Sequence, residues 1–354
     1  MSQVVYITVE SPDRAQGDGN AFAQAEWIHP HLIESVHPAK GRQFRVSGPV
    51  RKGEQLLVDH PYAIIPVVDE PASNDNLLCS NPTCNRRASC PTRVSCPDAC
   101  ITDVVWCGEA CQNADTRRHA FECLWLKRYA GLIRAKWGEY DFGMLWLIVR
   151  ILATRQTGHA SPTTNFELQG EQERFKQGWD AIESLCGSQD TWSHEQVKAW
   201  STLVKKYLRS SSILPHGLPT DRILHLICQE EANSFGLYPR ETGVFPLPHP
   251  PVDRGEQFAA AVYAVAAIAN HSCLPNVSHK PDNQGRMVFT ASQDILPGEE
   301  CCISYFDLTR FGDLNTRREH LRKSFRFVCR CERCSSEEPV EEAVEWTGMP
   351  LMDD

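Results

Sequence analysis

No stretch of this sequence is long and apolar enough to span a bilayer. Its apolar runs are short: Phe142 to Val149 ends at Arg150 after eight residues and Phe258 to Ala269 ends at Asn270 after twelve, against the ~20 that a membrane helix needs. A soluble chain is therefore predicted. The opening MSQVVYITVESPDRAQGDGN has no basic segment followed by an apolar one, so a secretory signal is not expected. No internal repeat is present. Positive charge is scarce: 36 Lys and Arg face 45 Asp and Glu, a formal net charge of -9. That balance argues against a large nucleic-acid surface, where a basic patch is expected. Residues 335–354 hold seven acids and no Lys or Arg, and read as a solvated acidic tail.

Cysteine, by contrast, is abundant. The chain has 354 residues and 16 cysteines. Its length suggests two or three domains of about 100–200 residues each, and its 42% apolar content excludes wholesale disorder. Without export, disulfides are improbable and metal binding is the better reading of the thiols. Their placement agrees: eight lie between Cys79 and Cys123, and three more at Cys329, Cys331 and Cys334.

Residues 1–26 are polar and predicted to lack order. From Trp27 to about Val68 the pattern is β-like, with strand candidates at Phe44–Ser47, Gln55–Asp59 and Tyr62–Val68. A loop, DEPASNDN, leads into the cysteine block. Helices are predicted over 112–137 and over the nearly all-apolar Phe142–Thr154. A third follows the capping box at Ser193 and Gln196, and a fourth runs from Asp221, as its cap, to Asn233. The Pro- and Gly-rich RETGVFPLPHPPVDRG reads as a loop, and strands return at Met287–Ser292 and Cys301–Phe306. One β domain interrupted by two insertions is the simplest organisation.

The cysteine block reads Cys79-x4-Cys84, Cys90, Cys96-x3-Cys100, Cys107-x3-Cys111 and His119-x3-Cys123. Zinc takes four thiolate or imidazole ligands, commonly as two close pairs. Four pairs within 45 residues suit two ions, and the segment is too polar to fold on a core of its own, so metal would supply its folding free energy. Spacing alone leaves the division between ions open. The second feature is Asn270-His271-Ser272-Cys273-Leu274-Pro275-Asn276, directly after the apolar AVYAVAAIA. Taken alone it could be a turn with a helix cap at Asn270 or Ser272. It is followed by Gly298-Glu299-Glu300, Ile303-Ser304-Tyr305-Phe306-Asp307 and Cys329-x-Cys331-x2-Cys334.

The order of pairs, with Val104-x-Trp106-Cys107, resembles the MYND zinc finger. That resemblance implies interleaved sites: Cys79, Cys84, Cys107 and Cys111 on one zinc, and Cys96, Cys100, His119 and Cys123 on the other. Cys90 is left over and could take the place of Cys96. The later motifs resemble SET-domain lysine methyltransferases, and the order of parts is similar to the SET-and-MYND subfamily. The implied fold is α+β: a β-rich SET fold split by a MYND finger and a helical insertion, with a zinc-binding post-SET segment. The implied domains are 27–74 and 233–310 for the two SET parts, 79–123 for the finger, 124–232 for the insertion and 311–334 for the post-SET segment.

The resemblance implies a protein-lysine N-methyltransferase that uses S-adenosylmethionine and three zinc ions. Tyr305 would stand at the lysine channel and contact the cofactor. Asn270 and His271 would grip the cofactor, Lys40, Gly41 and Arg42 would approach it from the other side, and Phe327 would stack on it or wall the channel. Asn233-Ser234-Phe235 would lie near the site, and Cys273 would complete the post-SET quartet with Cys329, Cys331 and Cys334. Phe325 stands where many relatives carry a tyrosine, and Gln43-Phe44 where they carry Gly-Leu. Animal members continue into a helical C-terminal domain, which this chain, ending about 20 residues past Cys334, is expected to lack. The implied setting is nucleus or cytoplasm, as a monomer acting on a histone or non-histone lysine, without direct nucleic-acid or membrane contact. The alternative is a degenerate SET fold whose finger recruits proline-rich partners.

Overall fold

The computed structural model describes residues 25–67, 77–87, 92–158, 175–187 and 189–338. Residues 1–24, the loop at 69–76, Cys90 and the tail from 339 lie outside them. The N-terminal part forms β1 (Ala25–Ile28), β2 (Leu32–His37), β3 (Gly41–Val46), β4 (Gln55–Asp59) and β5 (Pro61–Pro66). The cysteine block holds a short ribbon, β6 (Val94–Ser95) with β7 (Val105–Trp106). Four helices follow: α1 (Glu109–Gly158), α2 (Gly178–Glu183), α3 (His194–Leu203) and α4 (Thr220–Asn233). Then come β8 (Ser234–Leu237), β9 (Ala259–Tyr263), β10 (Asn270–His271), β11 (Val277–Pro281), β12 (Met287–Ala291) and β13 (Glu300–Ile303). Two helices close the described chain, α5 (Leu314–Phe325) and α6 (Glu332–Ser336).

Each of the three larger sheets joins strands from both ends of the sequence. Their orders are β1-β4-β12-β11, β10-β13-β3-β2 and β5-β9-β8. Val58 pairs with Val288, Phe44 with Cys301 and Ile64 with Ala261. The finger and helices therefore lie on an excursion between β5 and β8. β5 is buried along its whole length, packed on by α1, which explains its continuous apolar run. β10 pairs in parallel with β13, Asn270 opposite Cys302 and His271 opposite Ile303. This pairing brings two distant motifs side by side.

Several expectations need correction. Ala25 already belongs to β1, 3% exposed and paired with Asp59, so the boundary expected after residue 26 falls inside a strand. α1 runs through the expected boundary at 123, so the finger and the helical region share one helix. It breaks at Gly138, where φ is 91°, a conformation natural only to glycine; the two arms match the two predicted helices. Asp221 is not a cap: α4 starts at Thr220 behind an extended Pro219 with no side-chain cap bond. Asp221 lies instead in the first turn, where the helix dipole favours a carboxylate. Ser193 does cap α3, accepting the Gln196 amide at 3.2 Å.

A buried carboxylate sets the turn before the Asn270 motif. Asp59 is fully buried, and its Oδ2 accepts the amides of Val265 at 2.9 Å and Ala266 at 2.7 Å. Burial pushes its carboxyl up to about 7, although both amide bonds act the other way. The unfolded chain gives up this proton near pH ~3.9. Folding is therefore increasingly penalised as pH rises from about 4 to 7, and the penalty is constant above that window. Asp59→Asn keeps a carbonyl for both amides and removes the charge. Urea unfolding with zinc present should show it gaining on the wild type with rising pH, by roughly 2–4 kcal/mol at pH 8. Equal slopes in the two proteins would refute this.

Candidate active site and metal centres

Three groups of four donors converge: Cys79, Cys84, Cys107 and Cys111; Cys96, Cys100, His119 and Cys123; and Cys273, Cys329, Cys331 and Cys334. Within each, the ligand atoms all lie within 4.8 Å of one another. Tetrahedral zinc with ~2.3 Å bonds to sulfur needs sulfurs about 3.8 Å apart. Cys84 and Cys107 are 3.7 Å apart, Cys96 and Cys123 3.6 Å, and Cys273 lies 4.0 Å from Cys329 and 3.6 Å from Cys334. The donor sets thus fit three structural zinc ions, in the interleaved division. Among the described residues Cys96 completes the second group; Cys90 lies outside them.

The groups are braced from behind. The Nε2 of His119 faces Cys96 at 3.2 Å, while its Nδ1 faces Glu122 at 3.3 Å. A carboxylate there fixes the ring's tautomer and orientation. Glu122 is fully buried and also takes Trp146 Nε1 at 2.8 Å and Arg150 Nε at 3.1 Å, with the Arg118 guanidinium 2.9 Å away. Burial pushes its carboxyl up, but Arg118 and Arg150 outweigh this and hold it well below the usual range. Arg150 continues to the Ile64 carbonyl of β5 and to Ser80 Oγ. In the third group, Arg318 donates to the Cys329 carbonyl at 3.2 Å and Arg333 to the Cys273 carbonyl at 3.4 Å. α6 is thereby tied to the Asn270 motif, and α5 to Cys329 of the same metal group.

That motif is where most of the remaining predicted residues meet. Asn270 Nδ2 donates to the Arg42 carbonyl at 3.2 Å and to Glu300 Oε1 at 3.0 Å. Glu300 also pairs with the Lys40 ammonium. Lys40, Arg42 and Asn270 therefore form one polar cluster about Glu300. Gly41 sits in it at φ 74°, with nothing within 4 Å of where a Cβ would stand. Its glycine is required by backbone conformation, and the open space leaves room for a ligand to approach. The Arg42 guanidinium turns away to Glu34, at 2.6 Å, and to Ser184 Oγ, at 3.0 Å.

The His271 imidazole is committed inside the protein. Its Nδ1 accepts the Tyr305 amide at 3.1 Å, and Nε2 faces Cys273 Sγ at 3.2 Å. Burial lowers its pKa to about 3, so the ring is neutral and positions Tyr305 against the third metal group. The Tyr305 hydroxyl donates to the Ala269 carbonyl at 2.9 Å. Burial pushes its phenol up, and Cys302, Cys186 and Glu300 push the same way, so it stays protonated at neutral pH. Phe325 packs 4.9 Å from its ring and Phe327 6.3 Å. Phe327 is also 6.1 Å from His271.

Tyr305 and Phe325 border two cavities. One is a narrow chamber of about 70 Å³, lined also by Asn233, Ser234, Phe235 and Ala269. The other is a groove of about 620 Å³, which shares Ser234, Gly236 and Arg254 with the chamber. Asn233 holds this corner, donating to the Cys186 carbonyl at 2.6 Å and to Gln229 at 2.7 Å. A chamber this narrow, walled by aromatic rings and reached from a groove, suits one extended aliphatic side chain.

Glu300, Asn276, Glu122 and Arg254 join these sites without a motif that assigns them a role. Asn276 clamps β13 from both sides, taking the Cys302 amide and donating to the Glu300 carbonyl, each at 2.8 Å. Glu122 had a readable signal, lying three residues after His119 on the same helix face.

If the third metal group pins the C-terminal segment beside Tyr305, Cys334→Ser should lower bound zinc from three ions per chain to two. It should also loosen α5, read as faster amide exchange over 314–325. Three zincs retained in the variant would remove this group from the metal count.

Residues 151–306 match the family model described as SET domain. The chain is 26% identical over 312 residues to N-lysine methyltransferase SMYD2 of Homo sapiens, covering 87% of this chain and 61% of that protein. It is 25% identical over 310 residues to histone-lysine N-methyltransferase ASHR1 of Arabidopsis thaliana, covering 84% and 54%. Protein-lysine N-trimethyltransferase SMYD5 of Homo sapiens is 39% identical over 80 residues, 22% of this chain and 19% of that protein. The chain thus spans 54–61% of the length of the first two relatives.

Proposed function

We propose that this chain is a protein-lysine N-methyltransferase of the SET-and-MYND kind, drawing its methyl group from S-adenosylmethionine, a reading supported by the SET-domain match over residues 151–306 and by the similarity to SMYD2. The observation that carries the reading is Tyr305, held on both sides between a narrow chamber and an open groove. S-adenosylmethionine supplies a methyl group on a sulfonium. Lys40, Asn270 and the open turn at Gly41 cluster about Glu300; to take the cofactor's amino-acid end there, the Lys40 ammonium and Asn270 amide would exchange Glu300 for it, and Phe327 offers a ring nearby. For His271 the contact would run through the backbone, since its ring is occupied.

The target lysine would enter the chamber from the groove. A free lysine has a pKa of ~10.4, and burial beside the Phe235 and Phe325 rings and the Arg254 guanidinium that also lines the chamber would lower it by disfavouring a second positive charge. Tyr305 remains a neutral phenol, so its part is to orient the amine and accept weak C–H contacts from the methyl group. Holding the reacting atoms in line is the main contribution of such a site.

The direct test is incubation with methyl-labelled S-adenosylmethionine and a protein extract. Labelled methyl-lysine is the expected product. Absence of both transfer and cofactor binding would overturn the proposal in favour of a non-catalytic SET fold.

A further inference from the structure

The groove that Tyr305 and Phe325 border is also lined by Glu230 and Glu231, from the last turn of α4. We propose that these two carboxylates form a subsite for a cationic side chain, arginine or lysine, flanking the target lysine in the substrate protein. This rests on the methyltransferase reading of the same site.

The pair is placed against its own electrostatics. Glu230 is 5% exposed, and its Oε2 has no hydrogen-bond partner. Glu231 accepts the Tyr140 hydroxyl at 2.6 Å. The C-terminal end of a helix carries partial negative charge, and the last turn of α4 contains no basic residue to offset it. Burial pushes the Glu230 carboxyl well up and Glu231 adds to this, with a hydrogen bond from Ser234 opposing. Burial raises Glu231 as well, with Asp141 adding to it and Tyr140 opposing. No cation among the described residues counters either acid.

The other charges facing the groove are already matched. Arg134 pairs with Asp103 at 3.1 Å and Glu139 at 3.0 Å. Arg254 lies over the Tyr238 ring at 3.6 Å. Burial lowers His320 below its ordinary value. The two glutamates are what remains: burial favours the protonated form of both in the empty groove, and a cation arriving beside the pair favours their ionisation. A buried carboxylate without a partner is costly, and a cation from outside relieves it. A metal ion is a poor occupant: Glu230 and Glu231 belong to none of the converging donor groups, and hard dications want about six oxygens. The occupant that shares the groove with a target lysine is a neighbouring side chain of the same polypeptide.

The test uses fluorescent peptides of about 15 residues with one central lysine, flanked at each position in turn by Arg, Ala or Glu. Binding is read by anisotropy and methyl transfer by label. Arginine at one flanking position should strengthen binding about tenfold over alanine, equivalent to ~1.4 kcal/mol. Glu230→Gln and Glu231→Gln should each remove most of that gain, and Glu231→Lys should shift it to glutamate-flanked peptides. Glutamine keeps the shape and removes charge, so those variants should fold even if Glu231→Lys does not. No flank preference, no peptide binding, or a preference that survives both glutamine variants would overturn the subsite. Arginine-dependent binding lost in the glutamine variants, without any transfer, would sustain the subsite and sink the enzyme reading. Transfer without flank dependence would do the reverse.

Discussion

Tyr305→Phe should lower methyl transfer by about 10²–10³-fold, the usual effect of removing one oriented hydrogen-bonding group from a reaction centre, while leaving the fold intact. The substitution removes a single contact, the hydroxyl bond to the Ala269 carbonyl. It keeps the amide bond to His271 Nδ1 and the packing on Phe325. One such bond is worth ~1 kcal/mol of stability, so the melting temperature should drop by only a few degrees. The loss should fall on kcat more than on KM, because the hydroxyl acts on alignment within the chamber and the groove contacts remain. Since burial keeps the phenol protonated, the residual activity should show the same pH profile as the wild type. A changed profile would mean that the phenol titrates in the mechanism. Undiminished labelling would remove Tyr305 from the site altogether.

How much of this was legible in the sequence depended on the kind of signal. The strand Gln55–Asp59 was read to the residue, because an apolar core run bounded by turn residues is a local pattern. β8 was missed: Ser234-Phe235-Gly236-Leu237 carries little β propensity and is a strand through its pairing with β9. α5 was missed for a different reason. Its sequence LNTRREHLRKSF buries only Arg317 and Leu321, so it shows no apolar face. The structure holds it with a cap, Asp313 accepting the Thr316 amide at 2.9 Å, and with Arg318 on the Cys329 carbonyl.

The candidate site divides in the same way. The metal-donor candidates were legible because thiols at short spacings have few other uses, and the twelve donors lie in three converging groups of four. Lys40, Asn270 and Tyr305 were legible through motifs. Their connector Glu300, the first residue of β13, has no role legible in its motif, because a single acid at a strand end carries no periodic or spacing signal. The Glu230–Glu231 pair looked like the polar end of a helix, and its placement in the groove follows only from tertiary packing.

Glu122→Ala should be the most damaging single change outside the ligands themselves. Glu122 is the shared acceptor for Trp146 and Arg150, lies in ion-pair reach of Arg118, and faces His119. Removing it leaves Arg118 and Arg150 buried with too little negative charge, and breaking a buried pair in this way costs about 3–5 kcal/mol. Against a total stability of about 5–15 kcal/mol, much of the folded population would be lost at 37 °C. The His119 ring also loses its orienting partner, so zinc at the Cys96 group should weaken by about 10–100-fold. Urea unfolding and competition with a chromophoric chelator read the two effects separately. Glu122→Gln should be milder, keeping one acceptor oxygen but leaving the charge of Arg150 unmatched. The network reaches from the finger through Arg150 to the Ile64 carbonyl of β5. The damage should therefore extend beyond the finger, with faster amide exchange in β5 and its partner β9. If zinc affinity fell while β5 and β9 kept their protection, Glu122 would serve the metal alone, and the finger would not be coupled to the sheet that borders the groove.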